Sequence, residues 1–264
     1  MPIKVVVSGT GKMGRQVLAA LCAEPDLKPV GVLSRLAAEQ NLSLPDGSGQ
    51  VPFGLDPAAL FTRTRPDVVV DFTNAERTPS VAHAALEAGA RLVIGTSGLS
   101  EAFLNELDRE CRERKLGAVV ASNFALGAVL MAHLSKVAAR FFDHAEIIEM
   151  HHESKVDSPS GTALATARRM AEGRQGRFQR APVQRETIEG TRGGAVDGVT
   201  IHSVRLPGLV AHQEVIFGGL GETLTIRHDS SSREAFMPGV MLAIKDVMGR
   251  QDAVHGLARL VGLE

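Results

Sequence analysis

Two imidazoles and an ammonium group lie close together in residues 149–163, which read EMHHESKVDSPSGTA. An imidazole exchanges a proton near neutral pH, and an ammonium group attracts anions. Residues 145–149 read as a strand, and the apolar spacing after residue 159 predicts a helix. The free N–H groups of that helix N-terminus favour a negative charge. The segment therefore suits an anionic ligand that also receives a proton, although HHxxK alone is more often a solvated basic loop.

Two other kinds of site fit this segment poorly. Adjacent imidazoles at His151 and His152 point in different directions, and no HxxxH follows, so no metal site is predicted. Ser160 opens a helix after a proline and has no GxSxG elbow, which argues against a nucleophilic triad with His151 and Asp157. Asp157 is interpreted as a turn residue. Three histidines on predicted strands are interpreted as packed or surface residues: His202, His212 and His228.

A glycine-rich turn separates the first predicted strand, residues 3–8, from the first predicted helix. In GxGxxG, the first glycine permits a tight turn, the second lets a pyrophosphate approach the backbone, and the third lets helix and strand pack closely. A purely structural turn is the alternative. The context predicts a dinucleotide site made by Gly9, Thr10, Gly11, Lys12, Met13 and Gly14.

Apolar strands and helices alternate through the first half of the chain, with strands at 28–33, 67–71, 91–94 and 117–121. Helices are predicted at 79–89 and after Ser100. This pattern predicts a parallel sheet covered on both faces, with ligands bound beyond the carboxyl ends of its strands. Those ends carry Ser34, Arg35, Asp71, Phe72, Thr73, Gly95, Thr96, Ser97, Gly98, Ser122, Asn123 and Phe124.

The second half has a different pattern. Short alternating segments at 199–204, 214–217 and 222–226 predict an antiparallel or mixed sheet. Residues 173–182 are polar and basic and predict a flexible loop, and a final helix is predicted after Ser232. The fold class is therefore α/β, with a parallel sheet first and a mixed sheet after it.

The composition narrows the class of protein. The 264 residues carry 29 Lys and Arg against 30 Asp and Glu, which gives no indication of a nucleic-acid partner. Only two cysteines are present, Cys22 and Cys111, so a reducing cytoplasm is expected. The first residues read as a strand and not as a signal peptide. Residues 116–134 are apolar, but they are interpreted as a buried strand, a loop and a helix, so no membrane partner is expected.

Together these motifs resemble the dihydrodipicolinate reductase family, also called 4-hydroxy-tetrahydrodipicolinate reductase, of the diaminopimelate route to lysine. The resemblance spans nearly the whole chain, and HHxxKxDxPSGTA at 151–163 is its most specific element. The other segments that carry it are 7–14, 71–73, 95–98, 122–124, 202–205 and 233–236.

The resemblance implies a Rossmann-type parallel-sheet domain and a second mixed-sheet α/β domain. We place the dinucleotide-binding domain at 1–124 with 234–264, because the family's final helix returns to the first domain. Substrate binding and tetramerisation are then expected in residues 125–233. A homotetramer built through the second domain's sheets is the implied assembly.

The resemblance also implies residue roles for reducing a cyclic dicarboxylate imine with a nicotinamide hydride, after water is lost from the hydroxylated form. His151 resembles the general acid, and Lys155 resembles the second proton donor and charge stabiliser. His152 is expected to bind a carboxylate, with orientation of its loop as the alternative. The remaining substrate contacts are expected from Ser97, Ser160, Gly161 and Thr162. Cofactor contacts are expected from Phe72, Thr73, Gly95, Thr96, Ser97, Ser122, Asn123, Phe124 and Arg233.

The end of the second predicted strand bears on the choice of cofactor. An acid that selects NAD is usual there, whereas this chain has Ser34 and Arg35 and no carboxylate before Glu39. This departs from many family members. A carboxylate would repel a 2′-phosphate, whereas Ser34, Arg35 and Lys12 can donate to it. NADPH is therefore the expected cofactor, with NADH use left open.

Two rival functions remain at this point. Another two-domain NAD(P)-dependent dehydrogenase of small molecules would share the first half but would not need HHxxK followed by PSGT. A non-catalytic nucleotide-sensing protein would keep the Rossmann fold and lose the cluster from His151 to Lys155, which is complete here.

Overall fold

The computed structural model describes residues 1–37 and 40–263 and divides into two compact units. Unit 1 comprises Met1–Leu126 and Phe236–Glu264, and unit 2 comprises Gly127–Ala235. The chain passes from one unit to the other after Leu126 and after Ala235, in each case two residues after the boundary expected from the sequence. The chain thus leaves unit 1 once and returns to it near its end.

The first part of the chain alternates strands and helices. The elements are β1 Ile3–Ser8, α1 Lys12–Ala23, β2 Leu27–Leu33, β3 Asn41–Ser43, β4 Gln50–Gly54, α2 Pro57–Thr64, β5 Val68–Asp71, α3 Thr78–Glu87, β6 Arg91–Ile94, α4 Glu101–Arg114 and β7 Ala118–Val120. The predicted strands and helices are confirmed to within about three residues. Ser100 caps α4 as expected, its hydroxyl accepting a hydrogen bond from the Phe103 N–H at 3.2 Å. Sequence reasoning missed β3, β4 and α2, which are short.

The remaining elements follow in chain order. They are α5 Leu126–Ala138, β8 His144–His151, α6 Gly161–Arg174, β9 Gly194–Val196, β10 Val199–Arg205, β11 Ala211–Gly219, β12 Glu222–Ser230, α7 Met237–Asp246 and β13 Ala253–His255. Short 3₁₀ helices lie at Arg233–Phe236, Val247–Gly249 and Ala258–Val261. The prediction of a loop over 173–182 is wrong at its start, because α6 continues to Arg174. Phe178 is moreover buried in the unit 2 core.

The sheet of unit 1 has the strand order β13-β7-β6-β5-β1-β2-β4-β3. Every pairing is parallel except that of β3 with β4. Its central strands are wholly buried runs such as Val5–Val7 and Val68–Val70, as a sheet covered on both faces requires. The direction in which successive strands are added reverses next to β1, so the crevice beyond the carboxyl end of β1 is a natural ligand site.

The last strand, β13, extends this sheet at its β7 edge. It pairs with β7 in parallel from Ala253 to His255. Asp108 of α4 holds it in place, its carboxylate accepting a hydrogen bond from the Ala253 N–H at 2.9 Å. A strand of three residues carries too little periodicity to be recognised in the sequence.

The sheet of unit 2 has the order β12-β11-β8-β10-β9, and only β8 and β10 pair in parallel. The sheet is therefore mixed, as predicted. One face packs against apolar residues of α5 and α6, among them Met131, Ala167 and Met170. Residues 116–134 form β7 and most of α5, and no helix within 1–37 and 40–263 is long and apolar enough to span a membrane.

The inner face of this sheet changes from apolar to polar along β8. Ile147 lies beside Ile201 and Val215, which are all buried. One step further, Glu149 lies beside Ser203 and Gln213. The next row joins His151 to Arg205 and Ala211. Because side chains alternate along a strand, the register places ionisable groups side by side where the apolar core ends.

Candidate active site

The glycine turn of unit 1 has the shape that a dinucleotide phosphate requires. Gly9 has a φ of +106°, and a Cβ there would lie 3.1 Å from the Phe72 carbonyl oxygen. A Cβ on Gly14 would lie 1.9 Å from the Gly9 carbonyl oxygen, so only glycine permits this packing of α1 on the turn. A Cβ on Gly11 would meet no protein atom within 4 Å. The open side of Gly11, at the N-cap of α1, is where an anion can approach free backbone N–H groups.

The end of β2 lies against this turn. The Ser34 hydroxyl is buried 2.8 Å from that of Thr10 and accepts a hydrogen bond from the Leu36 N–H at 3.1 Å. Arg35 and Lys12 are exposed. Glu39 lies outside the described residues.

A cavity of about 510 Å³ lies beside this turn, within unit 1. Its size is typical of small-molecule sites. Gly9, Thr10, Arg15, Leu36, Leu42 and Phe53 contribute to its lining.

A buried carboxylate organises the ends of β5 and β6. Asp71 is fully buried and accepts hydrogen bonds from Thr73 at 2.9 Å, Thr78 at 2.6 Å and Thr96 at 3.2 Å. Two loops and the start of α3 are thereby tied to one point. Sequence reasoning placed Asp71 at a strand end but missed this role. The available signal was an acid closing a wholly apolar strand.

Aromatic packing and a glycine shape the neighbouring strand ends. The Phe72 and Phe124 rings lie 5.6 Å apart. A Cβ on Gly95 would lie 2.0 Å from the Phe72 ring, so glycine is needed for this packing. Asn123 accepts a hydrogen bond from the Ala125 N–H at 2.9 Å, which shapes the turn before α5. Ser97 and Ser122 are exposed, as is Arg233, which belongs to unit 2.

In unit 2 the carboxylate of Glu149 is the centre of a hydrogen-bond network. Its side chain is 0% exposed. One oxygen, Oε2, lies 2.6 Å from Nδ1 of His151 and 2.8 Å from a guanidinium nitrogen of Arg205. The other, Oε1, accepts from a second Arg205 nitrogen at 2.8 Å and from the Ser160 N–H at 3.1 Å. Burial alone would raise the pKa of Glu149, but hydrogen bonds from Arg205, Ser203 and His151 hold it below its ordinary value.

The pKa of His151 lies below its ordinary value. Burial is the main cause, and the charges of Lys155 and Arg205 act in the same direction. Hydrogen bonding and charge at Glu149 oppose them. Because these causes oppose one another, a charged ligand bound beside His151 would shift the pKa of its imidazole.

Lys155 is held by its own loop. Its ammonium group lies 2.5 Å from Asp157, and this hydrogen bond lowers the pKa of the Asp157 carboxyl. The Asp157 carbonyl accepts a hydrogen bond from Arg205 at 2.8 Å, so the same guanidinium supports both the Glu149 and the Lys155 segments. His152 lies nearby in sequence, with its Nδ1 2.8 Å from the Ser154 hydroxyl.

The start of α6 lies next to these groups and has backbone N–H donors that could bind an anion. The Ser160 side chain caps the helix, accepting a hydrogen bond from the Ala163 N–H at 3.1 Å. A Cβ on Gly161 would meet nothing within 4 Å, so a ligand has room to reach this turn. A side chain of β11 supports the first turn of α6. Gln213 donates to the Thr166 hydroxyl at 3.0 Å, and Thr166 donates to the Thr162 carbonyl at 2.8 Å.

Three further histidines of the second half have other partners than this network. His202 lies 2.8 Å from the Glu146 carboxylate and His212 lies 2.7 Å from that of Asp229. His228 packs beside Gly127, where a Cβ would lie 2.5 Å from the ring. Within the described part of the chain, no group of three or more His, Cys, Asp and Glu side chains could hold a metal ion.

The structure thus brings together His151, Ser160 and the segment of Lys155 through two residues to which sequence reasoning gave no role, Glu149 and Arg205. The two-residue repeat of side chains along a strand carried the signal. Glu149 and His151 are two positions apart and therefore share one face of β8. Arg205, the last residue of the neighbouring strand β10, lies on the same face.

Comparisons with known proteins agree across the chain. The family model described as dihydrodipicolinate reductase, N-terminus, matches residues 3–124, and the model of the C-terminus matches residues 127–261. A 4-hydroxy-tetrahydrodipicolinate reductase of Dehalococcoides mccartyi is 49% identical over 99% of both chains. One from Moorella thermoacetica is 47% identical over 98% of both chains.

Solved structures give the same result. A dihydrodipicolinate reductase from a Paenisporosarcina species, with dipicolinate bound, has a TM-score of 0.88 at 41% identity, covering 98% of this chain and 99% of its own. An amine dehydrogenase from Mycobacterium smegmatis has a TM-score of 0.70 at 16% identity, covering 98% of this chain and 96% of its own, which shows a shared fold.

Two glycines of the turn should respond differently to alanine. Gly14→Ala should lower the free energy of unfolding by about 1–3 kcal/mol, because the added methyl group collides with the Gly9 backbone. Gly11→Ala should leave stability unchanged and weaken binding of a nicotinamide dinucleotide about tenfold or more by keeping a phosphate from the turn. Urea unfolding and fluorescence titration of NADPH measure the two effects. Gly249→Ala, at another open position, is the neutral control, and equal effects at Gly11 and Gly14 would contradict the assignment.

Proposed function

The chain belongs to the dihydrodipicolinate reductase family, and we propose that it reduces 4-hydroxy-tetrahydrodipicolinate to tetrahydrodipicolinate with NADPH as its preferred hydride donor. It is a pyridine-nucleotide-dependent oxidoreductase of the diaminopimelate route to lysine. The observation that carries the substrate proposal is the cluster around His151 in unit 2. A proton donor, an ammonium group and an open helix N-terminus there suit an anionic substrate that receives a proton.

The substrate's carboxylates need positive partners. We assign one carboxylate to the N–H groups at the start of α6, the Thr162 side chain and His152, with Ser97 as a further contact. The partial positive charge of the helix N-terminus supports this. Lys155 supplies the full charge beside it, held in reach by Asp157.

His151 is the proposed general acid. NADPH, when bound, supplies the hydride. Nδ1 of His151 is engaged by Glu149, so Nε2 is the nitrogen available to protonate the substrate. The negative charge of a bound dianionic substrate raises the pKa of His151 and so counteracts the effect of burial. His151 is therefore protonated when the substrate is bound. Lys155 stabilises the negative charge that develops on hydride addition and acts as the second proton donor.

The cofactor is proposed to bind unit 1 through the turn from Gly9 to Gly14. Phe72, Thr73, Gly95, Thr96, Ser97, Ser122, Asn123 and Phe124 are the proposed contacts of its nicotinamide half, with Arg233 from unit 2. Ser34, Arg35 and Lys12 are proposed to face the 2′-phosphate. The exposed Arg35 and Lys12 support this, since both are free to reach a phosphate at the turn.

The roles of the two units follow from these assignments. We assign dinucleotide binding to residues 1–124 with 234–264, and substrate binding and tetramerisation to residues 125–233. The outer face of the unit 2 sheet supports a homotetramer, because Ile148, Met150, Val204 and Ile216 lie partly exposed on that one face. Action in the cytoplasm is supported by two free cysteines, Cys22 and Cys111.

Replacing either proposed proton donor should reduce turnover and spare the cofactor site. For His151→Ala and for Lys155→Ala we expect kcat to fall about a hundredfold or more, the scale of general acid catalysis. The dissociation constant for NADPH should stay the same, since both residues lie outside unit 1. Steady-state kinetics with enzymatically generated substrate measure the first effect and fluorescence titration the second. The exposed His83 provides the control variant His83→Ala, and near-normal turnover in both variants would refute the assignment.

Pyridine-2,6-dicarboxylate should compete with the substrate, because it presents two carboxylates at a similar spacing, and a relative's structure holds dipicolinate. Thr162→Val and His152→Ala should each raise its inhibition constant about tenfold, the value of one charge-assisted hydrogen bond. Inhibition kinetics at varied substrate concentration measure this. Thr191→Val, in an exposed loop of unit 2, should leave the constant unchanged, and an absence of competition at millimolar concentration would argue against this substrate site.

The two cofactors should be affected unequally by changes at Arg35. A lost charge-assisted hydrogen bond is worth roughly 1.5–3 kcal/mol, so Arg35→Ala should raise KM for NADPH about ten- to a hundredfold and hardly change KM for NADH. Arg35→Glu should extend the loss for NADPH by repelling the 2′-phosphate. Kinetics with both cofactors measure the effect, with Arg63→Ala as an exposed-arginine control in the same unit. If the unmodified protein strongly prefers NADH, or both cofactors weaken equally, this part of the proposal fails while the reductase assignment stands.

A further inference from the structure

Burying a carboxylate away from solvent costs free energy, and the Glu149 side chain is fully buried. Four hydrogen bonds of 2.6–3.1 Å, two to each oxygen, hold its carboxylate, in addition to the one from Ser203. On Oε2 the partners are His151 and Arg205, and on Oε1 they are the Ser160 N–H and Arg205. A single side chain therefore contacts both the proposed proton donor and the start of the helix proposed to hold a substrate carboxylate.

We propose that Glu149 is a positioning residue that holds His151 in the Nδ1–H tautomer, so that the proton always leaves from Nε2, and that fixes this imidazole relative to the N-terminus of α6. The inference rests on the proposed reduction. It adds a residue that touches neither substrate nor cofactor and acts through His151 and Ser160.

The tautomer follows from the acceptor. An ionised carboxylate only accepts hydrogen bonds, so the nitrogen 2.6 Å from Oε2 must carry a hydrogen in both charge states of the imidazole. When the protonated His151 gives up a proton, the bond that breaks is Nε2–H, and the ring becomes neutral with Nδ1–H still donated to Glu149. Nε2 then carries a lone pair and can regain a proton from solvent without rotation of the ring.

Arg205 keeps Glu149 ionised. Its guanidinium makes two parallel hydrogen bonds of 2.8 Å to the two carboxylate oxygens, the geometry that best offsets the loss of water. With Glu149 compensated in this way, the carboxylate orients the imidazole without drawing its proton away.

The charged groups around His151 come from three segments. Glu149 lies on β8 and Arg205 on β10. Lys155 lies in the loop that follows β8, where it pairs with Asp157. From β11 the register partner is the uncharged Ala211, and from α6 the nearest contributor to this network is the Ser160 N–H. Of these, Glu149 is the group that favours the protonated imidazole, and Lys155 and Arg205 oppose it.

The expected consequence of Glu149→Gln is a change in pH dependence. A deprotonated His151 cannot donate, so kcat/KM declines as pH rises through the pKa of His151. Removing the negative charge lowers that pKa, and the decline should move to lower pH by about one unit, the usual effect of a close opposite charge. At pH 8 we expect a loss of up to about tenfold in kcat/KM, the limit set by a shift of one pH unit, with NADPH affinity unchanged.

The chain offers a matched control on the same strand. Glu146 also accepts hydrogen bonds from a histidine, His202, and an arginine, Arg192, but on the opposite face of the sheet. Glu146→Gln removes the same chemistry three positions away and should leave the pH profile of kcat/KM where it is. A shift of equal size in both variants would mean that general electrostatics, and not orientation of His151, sets the profile, and would overturn the proposal.

A second measurement on the unmodified protein needs neither activity nor a stable variant. In ¹⁵N-labelled protein, the ring nitrogens of His151, identified by their loss in His151→Gln, report the tautomer directly. We expect Nδ1 to be protonated and Nε2 unprotonated in the neutral form. An Nε2–H neutral form overturns the proposal even if the protein reduces its substrate. If the expected tautomer is found and the reduction is absent, the proposed function fails and the positioning role of Glu149 stands.

Discussion

Placing a negative charge inside the second sheet is the constraint on which the proposed chemistry depends. Removing a carboxylate from water costs several kcal/mol unless it is fully hydrogen-bonded. Glu149 meets this condition only because β8 and β10 run in parallel register, which brings Arg205 beside it, and because α6 begins close enough to donate the Ser160 N–H. Strand register, helix start and loop course are thus tied together by one side chain.

Unit 1 also contains a buried carboxylate, but its hydrogen-bond partners are uncharged. Asp71 ends a buried strand and is surrounded by the hydroxyls of Thr73, Thr78 and Thr96 in place of a cation. Hydroxyls can rotate to suit an acceptor, so the carboxylate is satisfied without a fixed positive charge near the proposed nicotinamide site. In both units an acid at the boundary of an apolar sheet organises the loops that extend beyond it.

The sequence predicted what depends on local pattern and missed what depends on pairing between distant segments. The Gly9–Gly14 turn, the strand before it and the Ser100 cap were recognisable because their signals lie within a few neighbouring residues. The partnership of Glu149 with Arg205 joins positions 56 apart and depends on strand order. The same limitation explains why β13 was missed, since its short run gains its meaning from β7. The extension of α6 to Arg174 was missed for another reason, because polar residues on an exposed helix face resemble a loop.

The path of the chain through the units has a consequence for synthesis. Residues 127–235 are made between the two parts of unit 1, and β13 completes the first sheet only after residues 253–255 have been translated. Until then β7 is an edge strand, with unpaired backbone groups able to recruit another chain. Unit 2 has its own core and continuous sequence, so it can fold while the last segment is still on the ribosome. A nascent chain truncated before Ala253 would therefore carry a finished second unit and an open, aggregation-prone first one.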